Sequence, residues 1–406
     1  MRSDDCQRSM LQRSLTSGVR MAALWLACFF GLATSLLSAT EPNAKRSIRI
    51  ATFNVSLYGR SEGQIASRLS DGRDQQAEKI AKIVQAVRPD ILLLNEIDYE
   101  PDHASVKHVI DFLASGEVGI EYSHFYSAPS NTGIASGLDL NGDGKVEGPN
   151  DAWGYGVYPG QYSMAVLSRY PIDQQAVRTF QKFRWTQLAG AIRPTDPQSD
   201  QPFYSDEVWN QLRLSSKNHV DVPIQLPGDR VLHVLASHPT PPVFDGPEDR
   251  NGARNHDEIK FWNEYLSDAP ETEFVDDNGQ AGPLGSLNAS FVILGDLNSD
   301  PADGDSRHEA IANLLNHPRV QDPKPRGDGG AESAKQHPSN KSHQGDPSFD
   351  TAFFGRNGNL RVDYVLPSKD FQLTDQGVFW PATSSKQSGW LQASDHRMVW
   401  VEVQYE

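Results

Sequence analysis

Residues 91–96 read Ile91-Leu92-Leu93-Leu94-Asn95-Glu96, an unbroken apolar run that stops on two polar side chains. A strand with one face in water alternates apolar and polar residues, whereas a short continuous run is what a strand covered on both faces requires. The segment before it supports that reading. From Asp74 to Val87, Ala77, Ile80, Ala81, Ile83, Val84 and Val87 recur at helical spacing, and Arg88-Pro89 stops the pattern. A helix laid over a doubly buried strand predicts a layered α/β core.

The same short apolar signature recurs along the chain. Ser47 to Val55 reads as a strand that delivers Asn54, and further strands are expected at Ser163 to Ser168, Val231 to Ser237, Phe291 to Gly295, Val362 to Leu366 and Met398 to Val403. Helices are expected at His256 to Leu266, where Ile259, Trp262 and Leu266 share a stripe, and at Arg307 to Leu315. Strands outnumber helices, which points to two packed sheets with helices outside. Stretches 127–160, 267–288 and 321–348 are rich in Gly, Pro, Ser and Asp and read as surface loops. No repeat or internal boundary is visible, so residues 46–406 are expected to form a single domain.

The amino terminus has another character. Arg2, Arg8, Arg13 and Arg20 precede an apolar run from Met21 to Leu37 that ends at Ser38-Ala39, the layout of a secretory signal. That run is shorter than the roughly 20 apolar residues a membrane-spanning helix needs. A cleaved leader over 1–39 and a linker at 40–45 are therefore expected, with a secreted or periplasmic protein and no stable membrane insertion. Cys6 and Cys28 both lie in the leader, which excludes disulfides, cysteine metal sites and thiol nucleophiles from the remainder. The formal charge is −16, and the leader's four Arg against Asp4 and Asp5 contribute +2, leaving −18. An acidic surface repels polyanions, which weighs against tight, sequence-independent DNA binding.

Polar side chains cluster at the expected strand ends. Glu96 closes one strand, Asp296 and Asn298 follow another, Asp363 sits between Val362 and Tyr364, and Asp395-His396 precede the last. One carboxylate in such a place is a turn or cap residue; several together suit a hard divalent cation, which gathers oxygen ligands. Phosphoester hydrolysis uses such a set, because charge growing on the phosphoryl oxygens calls for a metal, amide donors and a base for water.

The fragments Thr52-Phe53-Asn54, Leu94-Asn95-Glu96, Met164 to Pro171, Ser237-His238, Gly295-Asp296-Leu297-Asn298, Arg361-Val362-Asp363-Tyr364 and Ser394-Asp395-His396 together resemble the endonuclease/exonuclease/phosphatase superfamily, in that family's order. The resemblance implies a four-layer, DNase I-like α/β sandwich of two mixed sheets flanked by helices, and a Mg²⁺- or Mn²⁺-dependent hydrolase with its site at one rim. It further implies that Glu96 is the principal metal ligand, with Asn54 and Asp395 close to metal or phosphate. Asp296 and Asn298 would position water and a phosphoryl oxygen, His396 would be the catalytic base with Asp363 orienting it, and His238 would contact phosphate or act as acid. Ser56 stands where some apurinic-site endonucleases of the family carry a further acidic residue.

Two loops carry expectations of their own. Asp139-Leu140-Asn141-Gly142-Asp143-Gly144 opens like an EF-hand calcium loop but has Asn150 where a bidentate Glu belongs, so Ca²⁺ at Asp139, Asn141 and Asp143 stands beside an unliganded turn. After His238, a Pro-rich stretch leads to Arg250 and Arg254, either of which would suit a phosphate as a bidentate donor or pair with Asp245, Glu248 or Asp257. The expected substrate is a phosphoester, with a small molecule or lipid headgroup favoured over nucleic acid, and no protein partner is expected. An extracellular DNase and a non-catalytic binding module on the same fold are the alternatives.

Overall fold

In β1 (Arg46–Leu57), Ile48 and Ile50 face one apolar cluster while Ala51, Phe53 and Val55 face another. A strand's side chains alternate, so both faces of this one are buried, and the same holds for β2 (Ile91–Ile97), where Ile91 and Leu93 oppose Leu92 and Leu94. Each Ile or Leu so buried contributes roughly 1.5–3 kcal/mol. The computed structural model describes residues 46–405, so the leader expected at 1–39 and the linker lie outside the described residues.

In chain order the remaining strands of the two main sheets are β3 (His124–Ser127), β4 (Ser163–Ser168), β5 (Arg178–Thr179), β6 (His219–Leu226), β7 (Arg230–Ser237), β8 (Ser290–Asp296), β9 (Asp363–Pro367), β10 (Gln372–Val378) and β11 (Val399–Tyr405). The longer helices are α1 (Gln64–Leu69), α2 (Gln75–Val87), α3 (Ala104–Ala114), α4 (Arg250–Tyr265), α5 (His308–Leu315) and α6 (Asp328–Gln336). One sheet runs β10-β11-β1-β2-β4-β3 and the other β9-β8-β7-β6-β5. Each is antiparallel except for one pair, β1 with β2 and β7 with β8. The sheets face each other across Ile50, Leu93, Val234, Val292, Leu294 and Val401. α2 and α3 cover the outer face of the first sheet, and α4 and α5 that of the second. The result is the four-layer, DNase I-like sandwich of mixed sheets.

The parallel pairs decide where the site lies. β1 and β2 both end at one rim of the first sheet, and β7 and β8 at one rim of the second. At those rims the antiparallel neighbours begin, β9 with Asp363 opposite Asp296 and β11 just after His396. Gly295 lets β8 approach β7, since a Cβ there would stand 2.1 Å from the Ser237 carbonyl oxygen.

Several elements differ from the sequence expectation. α4 begins at Arg250 instead of His256, because its first turns bury Gly252, Ala253 and Asn255 and not an apolar stripe. Within the stretch 321–348, read as loop, α6 forms around Gly329 and Gly330, whose missing side chains let the helix sit against Trp380 and Pro347. α3, β3, β6 and β10 were not legible either. Pro223 sits within β6, which keeps its register through it, and the Pro223 carbonyl accepts from Asp173 N–H, ahead of β5 in the chain. Among the described residues no helix is long and apolar enough to cross a membrane.

Candidate active site

Period-two geometry brings the first two site residues together. Asn54 shares the inward face of β1 with Ile48 and Ile50, and Asp296 shares that of β8 with Val292 and Leu294. They meet across the sandwich, where Asn54 Nδ2 donates to Asp296 Oδ2 at 3.0 Å, both residues fully buried. Regular alternation would send Glu96 outward with Leu92 and Leu94. Instead β2 slips register between Asn95 and Ile97, and Glu96 takes φ 57°, which turns its carboxylate to the rim. Ser56 at φ 46° and Asn298 at φ 51° are likewise left-handed. A non-glycine residue held this way costs about 1–3 kcal/mol, and such costs concentrate where function requires them.

His238, Asp296, Asp363 and His396 complete the centre. His396 Nδ1 donates to Asp363 Oδ2 at 2.9 Å, a bond that joins the two sheets. The other ring nitrogen, Nε2, lies 3.6 Å from Asp296 Oδ2, and His238 Nε2 lies 3.5 Å from the same oxygen. Asn298 caps Asp296 through its backbone N–H at 2.9 Å and donates from its side chain to the Pro239 carbonyl. Asp395 is exposed at the mouth, held by Ser56 Oγ at 2.9 Å, while Ser394 Oγ donates to the Asn54 carbonyl at 2.7 Å. Chemical groups read from six separate fragments thus converge on one rim.

Electrostatics fit a site built around an added cation. Burial pushes the Glu96 carboxyl above its ordinary range, and His396, the Asn54 amide and Lys217 only partly oppose it. Burial likewise raises Asp296, against His396 and with Asp363. A buried and a half-buried carboxylate that the chain's own cations do not fully compensate are suited to a divalent metal. Glu96, His238 and Asp296 offer ligand atoms within 4.8 Å of one another, as do Asp296, Asp363 and His396. Burial, with Lys217 and His396 adding to it, drives His238 well below its usual value, so this ring is neutral. Burial pulls His396 down too, but Asp363 and Asp296 outweigh it and push the ring up to about 10. His238 Nδ1 and Asp363 Oδ1 are buried without a hydrogen-bond partner, the mark of atoms that await a ligand or water.

Other expected residues take different roles. Arg254 does not face the centre with a free fork: Nε donates to Leu214 O at 2.8 Å, and Nη2 to Trp153 O at 2.7 Å and Arg213 O at 3.0 Å. It staples loops through Nε and Nη2, so that edge of the guanidinium is not free for a bidentate grip on phosphate. Arg250 pairs with Glu248. In the Asp139 turn, Asp139 accepts from the N–H groups of Gly142 and Gly144, and Asp143 from that of Lys145. Among the described residues, neither group of acidic and imidazole atoms close enough to hold an ion includes this turn.

Three features escaped the sequence reading. Lys217 is buried beside Glu96 and Asp296. Glu258, also buried, accepts from the N–H groups of Ser216 and Thr240, both at 2.6 Å, clamping the segments that carry Lys217 and His238. Its place on the inner face of α4, at helical spacing from Asn255, Phe261 and Trp262, was the available signal. At the mouth, Tyr58 and Tyr162 pack with ring centroids 4.5 Å apart, close enough to Glu96 for its charge to raise both phenols beyond what burial does.

Residues 51–396 match the Endonuclease/Exonuclease/phosphatase family. No curated protein is significantly similar in sequence. Among solved structures, an endonuclease/exonuclease/phosphatase from Beutenbergia cavernae shares 17% identity over 88% of this chain and 72% of its own, with a TM-score of 0.48. An endonuclease/exonuclease/phosphatase family protein from Bacteroides thetaiotaomicron shares 13% over 90% and 100%, with a TM-score of 0.46. Sphingomyelinase C from Streptomyces griseocarneus shares 14% over 88% and 99%, with a TM-score of 0.44. With the match running from the strand that bears Asn54 to His396 itself, the chain belongs to the endonuclease/exonuclease/phosphatase family, metal-dependent hydrolases that act on phosphoester bonds.

Proposed function

We propose that this chain is a Mg²⁺-dependent phosphodiesterase or phosphatase that acts outside the cytoplasm on a small phosphoester or a lipid headgroup. The observation that carries the reading is the placement of two imidazoles, His238 and His396, on one oxygen of a buried carboxylate, Asp296, next to Glu96. Glu96, with Asn54 beside it, would hold the metal, which when bound neutralises charge growing on the phosphoryl oxygens. Mn²⁺ would serve the same donors.

The chain's own groups account for the proton movements. Water attacks phosphorus as the bond to the leaving oxygen breaks. Asp296, raised by burial, takes the water's proton, and Asn298 N–H fixes that carboxylate. His396, charged because Asp363 and Asp296 face it, gives its Nε2 proton to the leaving oxygen. This exchanges the role read from the sequence, in which His396 was the base: an imidazolium has no lone pair to accept with. His238, neutral, donates its ring N–H to a phosphoryl oxygen.

The acidic surface and the Tyr58–Tyr162 pair at the mouth favour a small or amphipathic ester over a polyanion. The leader over 1–39 carries the proposal of export, which amino-terminal sequencing of protein recovered outside the cytoplasm, starting near Thr40, would test. The function itself is tested by assaying the purified protein on bis-p-nitrophenyl phosphate, p-nitrophenyl phosphate, sphingomyelin and plasmid DNA, with Mg²⁺ and with EDTA. Metal-stimulated turnover of one of the first three is expected. Dominant cleavage of DNA would make it a nuclease, and silence on all four would leave a binding module.

A further inference from the structure

Lys217 belongs to none of the motifs that drew attention to the site. It precedes β6, in the run Leu214-Ser215-Ser216-Lys217-Asn218, and only 6% of it is exposed. Four contacts hold it and the residue before it. Asn131 N–H donates to the Lys217 carbonyl at 2.9 Å, and Glu258 on α4 accepts from Ser216 N–H. Ser216 Oγ donates to the His238 carbonyl at 3.4 Å, and Gly154 packs so closely that a Cβ would stand 1.8 Å from the Ser216 carbonyl oxygen. The position of this lysine is built, with none of the freedom of a surface side chain.

The ammonium has charged neighbours but no bond. Glu258, Glu96 and Asp296 attract it, Arg254 repels it, and it makes no hydrogen bond among the described residues. Glu258 is the strongest of these charges, yet both its oxygens are already engaged by backbone N–H groups. An ammonium on a side chain only 6% exposed, with no protein acceptor for its donors, carries a desolvation cost that calls for a compensating partner. Structural packing does not explain it, since an apolar side chain would fill the same space without that cost. What remains is a ligand that brings acceptor oxygens into the space bounded by Glu96, Asp296 and His238.

We propose that Lys217 is a phosphate-binding cation of this site, its ammonium donating to a non-bridging oxygen of the phosphoryl group. The inference rests on the phosphoester reading above. It assigns the charge opposite a metal at Glu96, so that the phosphoryl group lies between two cations that come from different elements, β2 and the approach to β6. As a point charge with three rotatable donors, lysine suits a group whose oxygens shift as phosphorus changes geometry.

A lysine that binds phosphate and one that merely supports the fold respond oppositely to its removal. The ammonium repels a divalent cation at Glu96, so Lys217→Met should leave the Mg²⁺ concentration for half-activation unchanged or lower. The same variant should weaken inorganic phosphate, measured by isothermal titration in Mg²⁺ and as a competitive inhibitor of bis-p-nitrophenyl phosphate hydrolysis, by about 10–100-fold. That corresponds to one charge-assisted hydrogen bond of about 1.5–3 kcal/mol. Lys217→Arg, which keeps the charge, should recover most of the phosphate affinity and secures the test if the Met variant does not fold. If phosphate affinity stays within twofold of the parent in Lys217→Met, or if phosphate and Mg²⁺ weaken together, the proposal is wrong. A parent that binds phosphate but hydrolyses no phosphoester would sink the functional reading instead, and leave this one standing.

Discussion

Asp363 determines what His396 can do. The carboxylate fixes Nδ1 as a donor, so Nε2 is the nitrogen that faces Asp296 and the substrate space, and the charge of both carboxylates keeps a proton there. A general acid matters only when the leaving oxygen needs a proton. His396→Ala should therefore slow hydrolysis of an alkyl phosphodiester by about 10²–10⁴-fold, yet slow bis-p-nitrophenyl phosphate far less, because p-nitrophenolate departs unprotonated. Asp296→Asn should slow both alike. Equal losses on the two substrates for His396→Ala would return the ring to the role of base. The residues in this argument were legible in the sequence because each closes a strand inside a recognisable fragment. Lys217 and Glu258 were not, since neither has a motif around it and their importance comes only from neighbours brought near by folding. For Arg254 the converse holds: its charge is visible in sequence, but the three carbonyls that engage its Nε and Nη2 are not.

The junction of β6 with α4 holds both the lysine and one of the imidazoles in place, and it has a pH limit of its own. His219 starts β6 fully buried; Nε2–H donates to the Glu258 carbonyl at 2.8 Å, so the neutral ring accepts at Nδ1 from Ser215 Oγ at 2.6 Å. Burial lowers this histidine to about 4, with the Glu258 carbonyl opposing. Its folded value lies below its unfolded one, so its contribution is complete above about pH 6.5 and is lost as pH falls from there toward 4. At about 1.4 kcal/mol per unit, roughly 3 kcal/mol should disappear over that window. In urea melts followed by circular dichroism, His219→Gln should start less stable at pH 7.5 but lose less on acidification. The difference between the two proteins isolates His219 from Asp98 and Asp350, whose carboxyls burial raises to about 6 and about 7 and which act in the opposite sense. Parallel pH profiles would remove His219 from the account. None of this was readable beforehand, because Pro223 disguised β6 and the polar first turns of α4 hid its start, whereas β4 needed only its apolar run to be found.

The sandwich closes its site by bonds between sheets, Asn54 to Asp296 and Asp363 to His396, so the fold class and the rim both followed from short apolar strands that end on polar residues. What that architecture leaves open is the size of the molecule that enters, and the net charge bears on it. At −16 the surface repels a polyanion at long range and is nearly indifferent to a small ester. Added salt screens repulsion beyond about 10 Å at 0.1 M ionic strength. If DNA is cleaved at all, kcat/KM on a single-stranded oligonucleotide should rise as NaCl goes from 10 to about 150 mM, while that on bis-p-nitrophenyl phosphate should change less than about twofold. A protein that approaches nucleic acid through a local basic stripe would behave oppositely, because its Lys and Arg contacts release counterions and weaken steeply with salt. A falling rate on DNA, with Mg²⁺ held saturating, would therefore reveal such a stripe and turn the assignment toward a nuclease. A rising rate would mark nucleic acid as an incidental substrate of a site made for something smaller.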